Sequence, residues 1–506
     1  MSGNYYDVVV IGMDIAPLCA GALLARRGFR VLVAGQHTPP DTYTCQGYRF
    51  MRRPPFFSGA HSPVVRRICE ELTLTQPFER LLGQETPRLQ VVTPQRRVDV
   101  HAEVAKTVRE LSREMPAAER DAIAPALKEI GHLSREFEKI IASDLVIPPE
   151  SFFERRDWVR AEVQNPFFHM PTADLFSALP LSDALGSWLQ MLPLALSGPG
   201  DAPSALRQSR QIGAMLFDAM SLLGGHDALR ALFCEKIAAL GGDVQSAVAV
   251  KSLDVQRGRV QAVRLAGREE PIPCHSVVSG LRLSELSALV APSHWTSRFR
   301  AQIEDDTPAT RWRGYVLNLG VDAQVVPEGM GSDVLFDTGS ADDVRFLQVS
   351  RIPGQSDGRA ALQVTCALDD ASTPRLNSGA VRDAILDHLR WLVPFLDNHL
   401  HVIHSPNDGL PPICLGREAP EDTAQTCAAP AVPWWRQRPE PAGVLGISAL
   451  PYRTGIKGLL LCGEQVIAGL QLEGEFISAW GVARIISKTD PSRRLLMRTL
   501  RTPVSY

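Results

Sequence analysis

The 506-residue chain has no long apolar run, no excess of either charge and no closely paired cysteines. Each absence narrows the field. The most apolar segment, WLQMLPLALSG at 188–198, falls short of the roughly 20 residues that cross a bilayer. Lys and Arg number 53 against 56 Asp and Glu, a formal net charge of -3. No basic field therefore recommends a general nucleic-acid binder. The nine cysteines never form C-x-x-C, which argues against a zinc site and a disulfide framework and fits a reducing compartment. The opening MSGNYYDVVVIG lacks a basic region and is unlike a signal peptide. A cytoplasmic protein is expected. Repeats and low-complexity tracts are missing as well.

What is present is an ordinary globular composition, 45% apolar and 22% charged, on a chain long enough for two or three domains. Residues 7–12 form a continuous apolar strand of the kind buried on both faces of a parallel sheet. Ile15, Leu18, Cys19, Ala22 and Leu23 follow at helical spacing, Gly28 stands where a helix C-terminal glycine belongs, and FRVLVAG is the next strand. This is a βαβ unit. Residues 87–101 read as a hairpin with a Thr-Pro turn, 102–145 as charged helix, and 171–197 as more apolar helix. HDALRALFCEKIAALGGDV is an amphipathic helix that leads to three short strands, SAVAVKSLDV, RVQAVRLAG and IPCHSVVSG. Residues 312–367 alternate in strand fashion, 379–393 are helical, and the chain closes on the strand GLLLCGEQV and the helix EGEFISAWGVARIISK.

Several clusters invite a chemical reading. Ser58, His61 and Asp41 share a loop, but without a G-x-S-x-G elbow a hydrolase triad is not expected. His401 and His404, three apart on a strand, point to opposite faces and make a poor metal pair. Arg49, Arg52, Arg53, Arg66 and Arg67 interleave with Phe50, Phe56 and Phe57, a pattern of a snorkelling loop or of an anion-recognising one, the former favoured. Trp434, Trp435 and Trp480 could line an aromatic wall, though packing is the commoner use. The tail SRRLLMRTLRTPVSY (492–506) suits a plain surface helix, with peripheral membrane contact as the alternative.

In order along the chain stand the βαβ unit, Gly224-Gly225 opening a helix, Gly242 with Val250, the strand Val277-Val278-Ser279, and CGEQVIAGLQLEGEFISAWGVARI. Together these blocks resemble the flavin-dependent oxidoreductases of the amine-oxidase and phytoene-desaturase-like superfamily. The resemblance implies an α/β fold: a three-layer FAD-binding Rossmann-like domain assembled from residues 1–80, 216–290 and 443–490. A mixed α+β substrate domain would come from 81–215 and 291–442, and 491–506 would be a C-terminal tail. It also implies FAD as cofactor, held by the positions Gly12, Asp14, Pro17, Gly35, Val250, Gly463, Glu464 and Gly474, and a hydrophobic, polyene or lipid-like substrate. It identifies no catalytic side chain.

The same alignment exposes a lesion. The family fingerprint G-x-G-x-x-G and the acid that closes the second strand fall on Gly12, Asp14, Pro17 and Gly35, so three of four positions are changed. The second glycine lets backbone approach the pyrophosphate. A carboxylate about 4 Å from a phosphate repels it by roughly 4 kcal/mol at a surface-like dielectric, against about 0.3–1 kcal/mol that a helix N-terminus returns. Asp14 is also a favoured N-cap residue, so its carboxylate is expected to hold the anion seat itself. Two readings follow: a phytoene-desaturase-like flavin oxidoreductase, or a flavin-free pseudoenzyme serving as a binding or scaffolding partner of another protein.

Overall fold

In the computed structural model, the described residues are 5–83, 89–169, 179, 181, 183–194, 196–198, 203–304, 311–340, 344–368, 378–415, 432, 434–440 and 443–489. The first apolar run is strand β1 (Tyr6–Ile11), followed by helix α1 (Ile15–Arg26) and strand β2 (Val31–Ala34). Val8 through Ile11 have no exposed surface. The run is apolar at every position because the strand is covered on both faces. Further along come helices α2 (Pro63–Glu71), α3 (Val104–Glu114), α4 (Arg120–Ala142), α5 (Ala205–Phe217) and α6 (Gly225–Ala239). Strands β3 (Asp243–Gln245), β4 (Val250–Gln256), β5 (Arg259–Leu265) and β6 (Ile272–Ser279) follow, and strand β7 (Leu459–Leu461) precedes helix α7 (Gln471–Thr489).

These strands form a seven-stranded sheet in the order β3-β2-β1-β6-β5-β4, with β7 also on β6. The strands β3, β2, β1, β6 and β7 run parallel, whereas β5 and β4 turn back antiparallel. Helix α1 packs against both α6 and α7, and every residue from Ile15 to Ala25 is buried. Such a helix has no polar face to show, which explains why its apolar periodicity is blurred into a nearly continuous run. A nine-stranded sheet makes the second unit, centred on Arg311–Asp322 and Arg359–Leu368. The predicted hairpin is Leu89–Val92 and Arg97–Val100, and its first strand runs parallel to Asp333–Asp337. Helices α3, α4 and α5 share an apolar core beside this hairpin.

The mixed α/β architecture expected from the sequence is thus present. Of the helix expected over 171–197, Asp183–Leu194 is helical, while 170–178 lie outside the described residues, as does the tail 491–506. Cys45 departs from the expectation for the cysteines, for it is disulfide-bonded. The other seven among the described residues are free. No helix among the described residues is long and apolar enough to cross a membrane.

Candidate functional site

At the carboxyl ends of β1, β6 and β7, where parallel sheets of this kind place their ligands, lies a cavity of about 370 Å³. Gly12, Asp14, Pro17, Gly463 and Glu464 line it; Gly35, Val250 and Gly474 do not. Gly12 has φ 102, a conformation side-chain-bearing residues avoid, and it carries the chain from β1 into α1.

Asp14 occupies the N-cap position of α1, yet its side chain caps nothing. Its Oδ1 accepts from Arg53 Nη1 at 3.3 Å and from Arg230 Nη2 at 3.2 Å. Burial pushes this carboxyl up, but the two guanidinium groups outweigh it and hold the group below the ordinary carboxylate range. The expected self-cap is therefore corrected: two charge-assisted bonds outcompete local amide donors. The seat at the helix N-terminus is taken instead by Glu475, from α7. Its Oε2 accepts from the Ala16 N–H at 3.0 Å, in the place where an anionic ligand would bind. Burial, reinforced by the neighbouring charge of Asp14 and only partly offset by Arg53, pushes the Glu475 carboxyl up to about 7.

Pro17 sits in the first turn, where its missing N–H costs the helix nothing; Leu18 N–H still reaches Asp14 O at 3.2 Å. Its ring faces Gly280, where an added Cβ would come within 2.7 Å of Pro17 Cγ. The bulk of Pro17 on α1 is thus accommodated by the bare backbone of Gly280, just past the end of β6.

At Gly35 the obstruction is steric. A Cβ there would lie 2.1 Å from the Ser246 carbonyl oxygen. The Gly35 and Gln36 N–H groups donate to Gln245 O and Val248 O, each at 3.0 Å. No side chain fits at this end of β2 while that backbone stays in place. Gln36, at φ 54, turns its carboxamide onto Val250. Val250 N–H donates to Oε1, and Nε2 lies 3.5 Å from Val250 O. A donor beside an acceptor on one edge is also what an adenine ring presents, and here the protein's own amide supplies it.

On the opposite wall Gly463 has φ 109, and its N–H donates to Ser478 Oγ at 2.9 Å. Glu464 accepts from Arg436 Nε at 2.7 Å; burial pushes its carboxyl up and Arg436 pulls it back. Gly474 does not open the final helix, which begins at Gln471. It lies within the first turn, where a Cβ would come 2.5 Å from Ile467 O. Its smallness serves packing.

Apart from Arg52, whose Nε donates to Pro40 O at 3.0 Å, the arginines lining this cavity meet acids. Arg53 Nε also bonds Asp41 at 3.3 Å, Arg230 bonds Asp227 at 3.1 Å, and Arg282 bonds Glu285 at 2.6 Å. The sequence placed Arg53 in a snorkelling loop, but the group faces inward and is held by two acids. Phe50 and Phe57 are likewise fully buried. Gln36, Arg230, Arg436 and Glu475 carried no sequence signal, because each acts through a partner far away in the chain. Trp434 lines the cavity, whereas Trp480 is buried beneath Arg67, whose guanidinium lies 4.3 Å from the ring centre. His61 bonds Asp218 at 2.6 Å and not Ser58 or Asp41. His401 meets Asp322 at 3.0 Å and His404 meets Tyr43 at 2.8 Å.

The architecture is a mixed α/β fold shared with solved oxidoreductase structures. Among solved structures the chain is similar to an oxidoreductase from Methanosarcina mazei (13% identity, TM-score 0.59, 94% of this chain and 99% of that one). It is also similar to the PF1083 protein from Pyrococcus furiosus (13%, 0.54, 93% and 95%). A double mutant of putrescine oxidase redesigned in its cofactor binding gives 14%, 0.53, 95% and 99%. At these identities the likeness is one of fold. No family model matches the chain, and no curated protein does.

Proposed function

We propose that this chain uses the flavin-oxidoreductase fold without FAD, as a binding or scaffolding protein whose dinucleotide seat is filled by its own side chains. The observation that carries the reading is the 3.0 Å bond from Ala16 N–H to Glu475 Oε2. A diphosphate at the α1 N-terminus would have to displace a buried carboxylate and then sit beside Asp14. Two further contacts support the same conclusion. The Gln36 carboxamide engages the Val250 backbone, and the Ser246 carbonyl closes the position beside Gly35 where an acid would reach a ribose. FAD therefore does not fit these residues in the ordinary mode, and no chemical step is derived through it.

The second reading, a phytoene-desaturase-like oxidoreductase of a polyene or lipid-like substrate, draws its support from the 370 Å³ cavity and from the glycines kept at 12 and 463. One experiment separates the two. Freshly purified protein is scanned for flavin absorbance, then titrated with FAD while its melting temperature is followed. The proposal expects no flavin band and no thermal shift. Stoichiometric flavin in untouched protein would overturn it and leave the flavoprotein reading, whose substrate a turnover assay would then have to find. In Glu475→Ala the Ala16 amide is released, and inorganic pyrophosphate should then raise the melting temperature of the variant and leave that of the parent unchanged.

A further inference from the structure

A second, larger cavity of about 610 Å³ opens between α2, α3, α4 and the end of α5, within the size range of small-molecule sites, roughly 300–1,000 Å³. Its walls have two characters. Val104 and Val108 from α3, Leu127 from α4 and Phe217 from α5 make an apolar side. Val104 is 42% exposed, an aliphatic residue left open at the mouth.

The other side is cationic. Four Arg and Lys side chains line the cavity, Arg66, Lys128, Arg135 and Arg210, against two acids, Glu138 and Asp218. Both acids are already committed. Glu138 bonds Arg210 at 2.6 Å, and Asp218 bonds His61 at 2.6 Å. Buried Arg210 is further held by Glu473 at 2.7 Å. Arg66, Lys128 and Arg135 have no ion-pair or side-chain hydrogen-bond partner among the described residues. Lys128 and Arg135, two helical turns apart on α4, line the cavity together with Val104 and Val108 of α3, so charge and apolar surface are offered side by side.

We infer that this cleft binds an anionic amphiphile: a carboxylate or phosphate head received by Arg66, Lys128 and Arg135, with an aliphatic body along Val104, Val108, Leu127 and Phe217. The inference is independent of the flavin question, since the two cavities share no lining residue.

The test uses the full chain and three probes below their aggregation limits, dodecanoate, dodecyl phosphate and dodecanol, titrated by calorimetry. Both anions should bind at one site, and dodecanol about tenfold or more weakly, as expected when a charge-assisted bond is lost. The tighter anion identifies the head. Lys128→Glu and Arg135→Glu should each weaken the anions about tenfold or more and leave dodecanol unaffected, while Lys128→Arg should retain binding. Val108→Asp should weaken all three probes. Equal binding of dodecanol and the anions, or anion binding unchanged in the Lys128→Glu/Arg135→Glu double variant, would overturn the inference. So would an absence of binding by every probe. Lys128 and Arg135 are exposed, so an unchanged melting temperature of the free variants verifies that the fold is intact.

Discussion

In the cleft at the sheet ends, Arg53 and Arg230 meet Asp14, Arg53 also meets Asp41, and Arg436 meets Glu464. In the cleft beside α4, Arg66, Lys128 and Arg135 meet no acid among the described residues. In the first arrangement the charges hold one another. Removing Arg53 would leave the buried Asp41 without its guanidinium partner, so these charges stabilise the fold and gain little from a ligand. In the second, water competes for these three cations, and an incoming anion makes contacts with them that no described residue already makes. Conservation of an overall fold therefore says less about ligand binding than whether the charges around a cavity are already spoken for.

The comparison can be broken most severely at the closed end of β2. Gly35→Glu forces a side chain into the Ser246 carbonyl, and it should cost more than about 4 kcal/mol, read as loss of cooperative unfolding in denaturant. A folded Gly35→Glu protein would show that the first cleft is looser than described. Next in size, Arg53→Met leaves Asp14 and Asp41 without a shared partner. It should lower stability by about 3 kcal/mol in urea melts, and a loss below about 1 kcal/mol would erase the contrast between the clefts.

A third measurement is pH dependence. Glu475 titrates near 7 in the folded protein against an ordinary 4.5, so the native state binds the proton more tightly than the unfolded chain. Its contribution to stability is therefore greatest below the ordinary value, falls as pH rises through the window to about 7, and is level above it. Glu475→Gln keeps an acceptor for Ala16 and removes the titration. It should flatten the difference in unfolding free energy between pH 5 and pH 8 by roughly 2 kcal/mol. An unchanged pH profile would place the proton elsewhere. The smallest effect belongs to the second cleft: Lys128→Glu should change the stability of the free protein by less than about 0.5 kcal/mol. A larger loss in the melt would show that Lys128 is structural after all.

Local pattern made much of this fold readable. The apolar run at 8–11, the helix that follows and Gly28 announce the first βαβ unit, since burial on both faces and a left-handed helix end each demand a narrow choice of residues. The hairpin at 89–100 was legible from its turn, but its parallel pairing with 333–337 was not, because nothing local specifies a partner more than two hundred residues away. The site divides in the same way. Asp14 and Pro17 stood out as departures from a pattern, yet the prediction for Asp14 followed local capping preference and missed Arg53 and Arg230, which reach it from 39 and 216 residues away. Gln36 and Glu475 were silent for the same reason. A glutamine beside a strand end and a glutamate in a helix are ordinary until the fold brings Val250 and Ala16 to them.

The contact between Gly35 and Ser246 also bears on what could be rebuilt here. An acidic residue placed at position 35 would achieve nothing unless residues 245–248 retreated at the same time, and their retreat alone would uncover an unsupported strand end. Each step is harmful without the other. A nucleotide site of the ordinary kind could be built at this strand end only through several coordinated changes.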